Sequence, residues 1–161
     1  MNNRIALVLA ALTVLLSACN RADAPLEAAT PESADARAVD TLVVHKSPSC
    51  GCCADWVTYM QDEGFQTSTI ETDQVDAIKA EHGLTDPALK SCHTALIDGY
   101  VVEGHVPADD VRRLLAERPD IVGLSAPGMP MQSPGMGSRE PSGYDVIAFD
   151  AKGNTEVWSS Y

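Results

Sequence analysis

The sequence has few basic residues. Of its 161 residues, 11 are Lys or Arg and 23 are Asp or Glu, which gives a formal net charge of -12 at pH 7. A chain this acidic repels the phosphate backbone of nucleic acids, so we expect no nucleic-acid partner. The acidity is compatible with attraction of cations, but we interpret it mainly as a solvated surface.

The sequence also lacks an apolar run that spans a bilayer comfortably, which takes about 20 residues. A shorter run over residues 5–16 follows Arg4 and ends in Leu16-Ser17-Ala18-Cys19. A basic start, a short apolar stretch and small residues before a cleavage site are typical of a secretory signal peptide. Because Leu-Ser-Ala-Cys is similar to a bacterial lipobox, we predict a lipoprotein signal peptide over residues 1–18 and lipidation of Cys19. The alternative is a plain secreted protein in which Cys19 is incidental.

The lipid on Cys19 would anchor the protein to a membrane in the periplasm. Asn20 follows it, where Asp commonly retains lipoproteins in the inner membrane, so we predict the outer membrane. Residues 19–39 are rich in Ala, Pro, Glu, Asp and Thr and contain no aromatic residue, which predicts a flexible tether. Residues 40–161 are enough for one compact domain.

Hydrophobic periodicity and turn residues predict the order of strands and helices. The predicted elements are a strand over 41–45, a helix from Cys50 to Gly64, a strand over 65–70, a helix from Thr72 to Gly83, a hairpin over 94–103, a helix from Pro107, a loop over 123–143 and a last hairpin over 144–158. For the second helix the pattern places Val75, Ala77 and Ile78 on the buried side. This order is typical of a thioredoxin-like α/β domain, with a mixed sheet and flanking helices.

Three cysteines, Cys50, Cys52 and Cys53, lie where the first strand leads into the first helix. A helix N-terminus stabilises a thiolate and lowers the thiol pKa, and the thiolate is both the nucleophile and the metal ligand. The cluster therefore suits thiol–disulfide chemistry with Cys50 and Cys53 as catalytic residues, or binding of copper(I), which soft ligands select. Structural disulfides are a third alternative. We favour metal binding, because Cys52 has no role in a Cys50/Cys53 redox pair.

Cys92-His93 directly precedes the predicted hairpin. In thioredoxin-like folds this loop faces the active cysteines and usually carries a cis-proline, but no proline precedes Thr94. The absence of this proline counts against an enzyme of thiol–disulfide exchange. If the fold is right, Cys92 supplies a fourth thiolate, and the metal hypothesis depends on the two loops meeting.

Two histidines, His93 and His105, are candidate imidazole ligands, with an ordinary hydrogen-bonded role as the alternative. We interpret His45 and His82 as ordinary residues.

Three methionines, Met129, Met131 and Met136, lie in a Pro/Gly-rich loop that offers no helical stripe to pack into. Thioethers are soft ligands for copper(I), and the alternative is packing of the loop over the domain.

Four motifs in this order resemble those of the CopG-type copper-resistance proteins, a family long described as a domain of unknown function. The motifs are Lys46-Ser47-Pro48-Ser49-Cys50-Gly51-Cys52-Cys53, Ser91-Cys92-His93-Thr94-Ala95, Glu103-Gly104-His105-Val106-Pro107, and Pro127-Gly128-Met129-Pro130 with Ser133-Pro134-Gly135-Met136. The resemblance covers about residues 41–149. Gln132 stands where a glycine is expected.

The resemblance implies a thioredoxin-like fold, a periplasmic setting beside other copper-handling proteins and a cysteine-bridged, multinuclear copper(I) site. The ligand candidates that it implies are Cys50, Cys52, Cys53, Cys92, His93, His105, Met129 and Met136. We therefore predict a copper(I)-binding protein of copper resistance. The alternative is a thiol or copper oxidoreductase that uses Cys50 and Cys53.

Overall fold

The computed structural model of the chain describes residues 41–161. The predicted signal peptide (1–18), the lipidation site Cys19 and the tether (19–39) lie outside the described residues, so they stay predictions. No helix within the described range is both long and apolar enough to cross a membrane.

The strands and helices of the described residues follow the predicted order up to the third helix, and one further strand then precedes the last predicted hairpin. In chain order the elements are β1 (Leu42–Lys46), α1 (Gly51–Asp62), β2 (Thr67–Glu71), α2 (Val75–Glu81), β3 (Thr94–Ile97), β4 (Tyr100–Gly104), α3 (Ala108–Glu117), β5 (Gly123–Ala126), β6 (Asp145–Phe149) and β7 (Thr155–Ser160), with a short 3-10 turn at Pro87–Leu89 before β3. The strand and helix ends differ from the predicted ones by one to a few residues, as is usual for element boundaries.

The seven strands form one mixed sheet in the order β2-β1-β3-β4-β5-β6-β7. β1 is parallel to β2, whereas β3 is antiparallel to both β1 and β4. This half of the sheet, with α1, α2 and α3, has the thioredoxin-like arrangement and confirms the predicted α/β fold class. The strands β5, β6 and β7 extend the sheet beyond β4.

The apolar face of α1 anchors the helix to the sheet. Trp56 and Met60 are fully buried, in one cluster with Leu42 and Val44 of β1. The Trp56 indole also donates a hydrogen bond to the carbonyl of Val106, at 3.0 Å. These contacts fix the start of α1, and with it the cysteines, against the sheet.

The prediction of a continuous loop over residues 123–143 is wrong at its start. Gly123–Ala126 form β5, which is buried throughout and pairs with β4 on one side and β6 on the other. The run Gly-Leu-Ser-Ala contains no β-branched or aromatic residue, so its local propensity for a strand is weak. Its two neighbouring strands decide its conformation.

The predicted buried side of α2 is also partly wrong. Ala77 is exposed, Val75 and Ile78 are half-buried, and the buried residue of this helix is Lys79. The helix begins at Val75 rather than directly after Thr72, whose hydroxyl accepts a hydrogen bond from the backbone N–H of Gln74 at 3.0 Å. Periodicity missed Lys79 because its partner, described below, lies on a distant strand.

We predict that Gly123→Ala destabilises the fold. A Cβ at residue 123 would collide with the backbone carbonyl of Val101 in β4 and lie 2.9 Å from its Cα. Overpacking of this kind costs about 1–3 kcal/mol of unfolding free energy, which denaturant titration measures. Gly51→Ala is the control, because a Cβ there meets nothing within 4 Å. Equal stability of the two variants would show that β4 and β5 do not pack as described.

Candidate metal site

Three cysteines surround the first turn of α1. Cys50 is the N-cap residue of the helix, Cys52 and Cys53 follow in the helix, and a hydrogen bond of 3.1 Å from the Cys50 N–H to the Ser47 carbonyl closes the preceding turn. Cys53 is fully buried, whereas Cys50 and Cys52 are partly exposed.

The fourth cysteine reaches this turn through the pairing of β1 with β3. His45 near the end of β1 is paired with Thr94 at the start of β3, so the loop that carries Cys92 lies beside the loop that follows β1. The Sγ atoms of Cys50, Cys52, Cys53 and Cys92 all lie within 4.8 Å of one another. The structure thus brings together the two loops on which the metal hypothesis depends.

Cys50 and Cys53 are joined by a disulfide, and Cys52 and Cys92 are free thiols. The bonded pair is the one that the redox hypothesis names. Only one of the two disulfides of the structural hypothesis is formed. A site with four thiolates requires reduction of this bond, because a sulfur in a disulfide is not a thiolate.

Two imidazoles flank the thiol of Cys92. Its Sγ lies 3.4 Å from His93 Nδ1 and 3.2 Å from His105 Nε2. His105 Nδ1 lies 2.7 Å from the carbonyl oxygen of Pro134, to which it can only donate. This tautomer leaves the lone pair of His105 Nε2 facing Cys92, which is how a second hydrogen bond commonly orients a metal-binding histidine.

His93 is fully buried beside the cysteine loops. Its ring centroid is 4.5 Å from that of Trp56 and 5.1 Å from that of His105. Its Nε2 atom has no hydrogen-bond partner. A buried polar atom without a partner costs free energy, so the neighbours of His93 do not fully satisfy its ring.

Burial determines the charge state of the site. Burial lowers the pKa of His105, and burial together with the His105 ring lowers the pKa of His93 well below its usual value. Both rings are therefore neutral at pH 7, the form that binds a metal. Burial, then the neighbouring Cys52, raises the pKa of Cys92 to about 11. The Cys92 thiol is therefore protonated at pH 7, and a metal must displace its proton.

Residues 127–136, which carry Met129, Met131 and Met136 and are called the methionine loop below, contact the site through their backbone. The Ser91 hydroxyl donates to the carbonyl of Gly128, and the Gly128 N–H donates to the carbonyl of Lys90 at 2.9 Å. Met129 and Met131 themselves are 57% and 69% exposed, and Met136 is half-buried. The structure therefore brings the loop to Cys92 but leaves the first two thioethers in solvent.

The two other histidines stay outside these groups. Within residues 41–161, the clusters of closely spaced ligand atoms are Cys50, Cys52, Cys53 and Cys92, and Cys92, His93 and His105. Neither His45 nor His82 belongs to them.

A buried ion pair beneath the Cys92 loop was missed by sequence reasoning. Lys79 Nζ lies 2.5 Å from Glu103 Oε1, and the side chains are 3% and 0% exposed. A lysine in a short amphipathic helix and a glutamate near a strand end are ordinarily exposed. The one available signal for this ion pair was the position of Glu103 among the buried residues of β4.

A cleft of about 220 Å³ opens onto Cys92. Its walls include Ser47, Asp73, Asp76 and Lys79. Cys92, which is partly exposed, thus lines a cleft that also carries two aspartates.

Comparison with known proteins identifies the family. The family model DUF411, described as a protein of unknown function, matches residues 89–136. No curated protein matches the chain. Two solved structures of copper resistance protein CopG are 38% identical in sequence: form 1 has a TM-score of 0.69 over 75% of this chain and 96% of that one, and form 2 has 0.70 over 76% and 98%. The chain belongs to the CopG family. The resemblance carried by the four motifs is confirmed.

This member of the CopG family matches its two relatives over nearly their whole length. The matched DUF411 segment runs from the loop before β3 to Met136. It therefore includes Cys92, both site histidines and the methionine loop, but not the cysteines of α1.

We predict that the protein, taken in a Cys19→Ser variant to remove the fifth thiol, shows two titratable thiols when denatured without reductant. Reduction should raise the count to four, because one disulfide joins Cys50 and Cys53. Peptide mapping by mass spectrometry checks the pairing. A disulfide between any other two cysteines would contradict the described site.

Proposed function

We propose that this protein binds copper(I) in copper resistance. The observation that carries the proposal is the convergence of four cysteine sulfurs within 4.8 Å from two separate loops. Thiolates select copper(I) over harder cations, and no carboxylate belongs to either group of potential ligands in residues 41–161. Membership of the CopG family, whose two matching structures are of a copper resistance protein, supports the same metal.

The metal is held as a thiolate-bridged cluster. Once Cys50 and Cys53 are reduced, four thiolates lie close enough for each sulfur to contact more than one copper ion. Sharing of this kind lets few sulfurs hold several ions. His93 and His105 are the nitrogen ligands beside Cys92, supported by the 3.4 Å from His93 Nδ1 to its sulfur and by the orientation of the His105 ring.

Met129 and Met136 complete the proposed ligand set. Contacts of the Gly128 and Pro134 carbonyls with Ser91 and His105 anchor their loop beside Cys92. We expect the thioethers to turn towards the sulfurs when copper(I) binds. Met131 is not part of the proposal.

The protein acts in the periplasm, attached by the lipid on Cys19 to a membrane, and to the outer membrane in particular. This rests on the sequence of residues 1–20 and on the redox chemistry of the site, since disulfides persist in oxidising compartments. Other periplasmic copper-handling proteins are the expected partners.

A second function, a copper-linked oxidoreductase, is favoured by the Cys50–Cys53 disulfide at the start of α1. Two thiolates give one electron each to two copper(II) ions, the S–S bond forms, and two copper(I) ions result. The two functions are compatible, because copper binding and thiol oxidation use the same sulfurs.

We predict that the reduced protein takes up more than one copper(I) ion per chain in anaerobic competition with a colorimetric chelator. Cys92→Ser should weaken binding at least about tenfold, since it removes the sulfur that links the two loops. His105→Gln should also weaken binding, and His82→Gln is its matched control outside the site. If Cys92→Ser retains native stoichiometry and affinity, the shared site does not exist.

We also predict that the reduced protein converts two copper(II) ions to copper(I) for each disulfide formed, without oxygen. The measurement combines the absorbance of a copper(I) chelator with mass-spectrometric mapping of the new bond to Cys50 and Cys53. The double variant Cys50→Ser/Cys53→Ser should lose this reaction. Formation of only a Cys52–Cys92 bond, or no reduction of copper, argues against the oxidoreductase.

A further inference from the structure

The carboxylate of Glu103 contacts both ends of the segment that carries Cys92 and His93. Glu103 Oε1 accepts a hydrogen bond of 2.6 Å from the backbone N–H of Ser91, and Oε2 accepts one of 2.7 Å from the hydroxyl of Thr94. Ser91 directly precedes Cys92, and Thr94 directly follows His93. One rigid, planar group therefore spans the two ligand residues.

Lys79 completes this arrangement from α2. Its ammonium group donates to Glu103 Oε1 at 2.5 Å and to the Thr94 hydroxyl at 2.9 Å. Glu103 is fully buried and Lys79 is 2% exposed, so the pair is almost entirely removed from solvent. Hydrogen bonds to an ionised group in such surroundings are short and strongly directional.

The pairing of β3 with β4 reaches back to His93 but not to Ser91. The first register pair is Thr94–Glu103, and the Gly104 N–H donates to the His93 carbonyl at 3.0 Å. The Ser91 N–H lies outside that pairing and is bound by the carboxylate instead. Ser91 also packs closely against Gly104. A Cβ at residue 104 would lie 2.5 Å from Ser91 Cβ and 2.9 Å from the Ala126 carbonyl oxygen.

We infer that Glu103 is the positioning residue of the copper site, and that its carboxylate, neutralised by Lys79, fixes the Cys92–His93 segment opposite the cysteines of α1. The inference rests on the proposed copper(I) function and adds to it a residue that touches no metal. Buried ion pairs are often replaceable by apolar groups without loss of stability, so stability by itself does not explain a charged pair here. A pre-formed loop lowers the ordering cost of metal binding.

The test compares two double variants of the full chain, each without an unpaired buried charge. In Lys79→Met/Glu103→Gln the amide still accepts from the Ser91 N–H and still reaches Thr94. In Lys79→Met/Glu103→Leu both contacts are lost. We expect the glutamine variant to bind copper(I) with near-native affinity and native copper–thiolate absorption. The leucine variant should bind roughly 10- to 100-fold more weakly, as when partners of metal ligands are removed.

A metal-free measurement separates this inference from the proposed function. The rate of alkylation of Cys92, mapped by mass spectrometry, should rise in the leucine variant and stay near the native value in the glutamine variant. If the native protein does not bind copper(I), the proposed function fails while this comparison still tests positioning. Equal alkylation rates in the native protein and both double variants would overturn the inference. So would an equal loss of affinity in the two variants, because the charges rather than the contacts would then matter.

If the leucine variant does not fold, Thr94→Val takes its place. This nearly isosteric change removes one of the two contacts that span Cys92 and His93. We expect a faster alkylation of Cys92 than in the native protein, and an unchanged rate would overturn the inference.

Discussion

The antiparallel pairing of β1 with β3 is the constraint on which the candidate site depends. Its register places His45 opposite Thr94, so the chain leaves β1 towards Cys50 at the same end of the sheet where it enters β3 from Cys92. Cysteines about forty residues apart in sequence thereby bring their sulfurs within 4.8 Å. Apolar burial of Leu42 and Val44 against α1 holds this register, because a slip by one residue would turn them away from the core.

The end of the sheet that carries the site buries an unusual number of polar groups. His93, His105, Glu103 and Lys79 are all buried, where apolar side chains would pack more favourably. Three of them satisfy one another or nearby backbone, whereas His93 Nε2 has no partner. A natural sequence breaks local rules of this kind mainly at functional sites. The pattern therefore marks the same place as the cysteines, but by independent evidence.

The environment of the four sulfurs suits a metal and also allows redox chemistry. Burial keeps the imidazoles neutral and holds the Cys92 thiol protonated until a cation displaces the proton. The disulfide removes Cys50 and Cys53 from the thiolate set. Under the proposed function, metal binding and oxidation are competing states of one cluster, and the redox poise and the copper supply decide between them.

The sequence by itself determined the order of the elements other than β5, the junction of β1 with α1 as the place of three cysteines, and Cys92-His93 as the residues before the hairpin. These follow from periodicity and turn chemistry within short windows, and the four motifs indicated the family. Only the tertiary structure decided that Gly123–Ala126 form a strand, that α2 buries Lys79 rather than Ala77, and that Cys50 pairs with Cys53. The tertiary structure alone also decided that Glu103 binds the Ser91 N–H and that the Pro134 carbonyl contacts His105. Each depends on a partner that is distant in sequence or on a choice among neighbouring sulfurs, which local pattern does not contain.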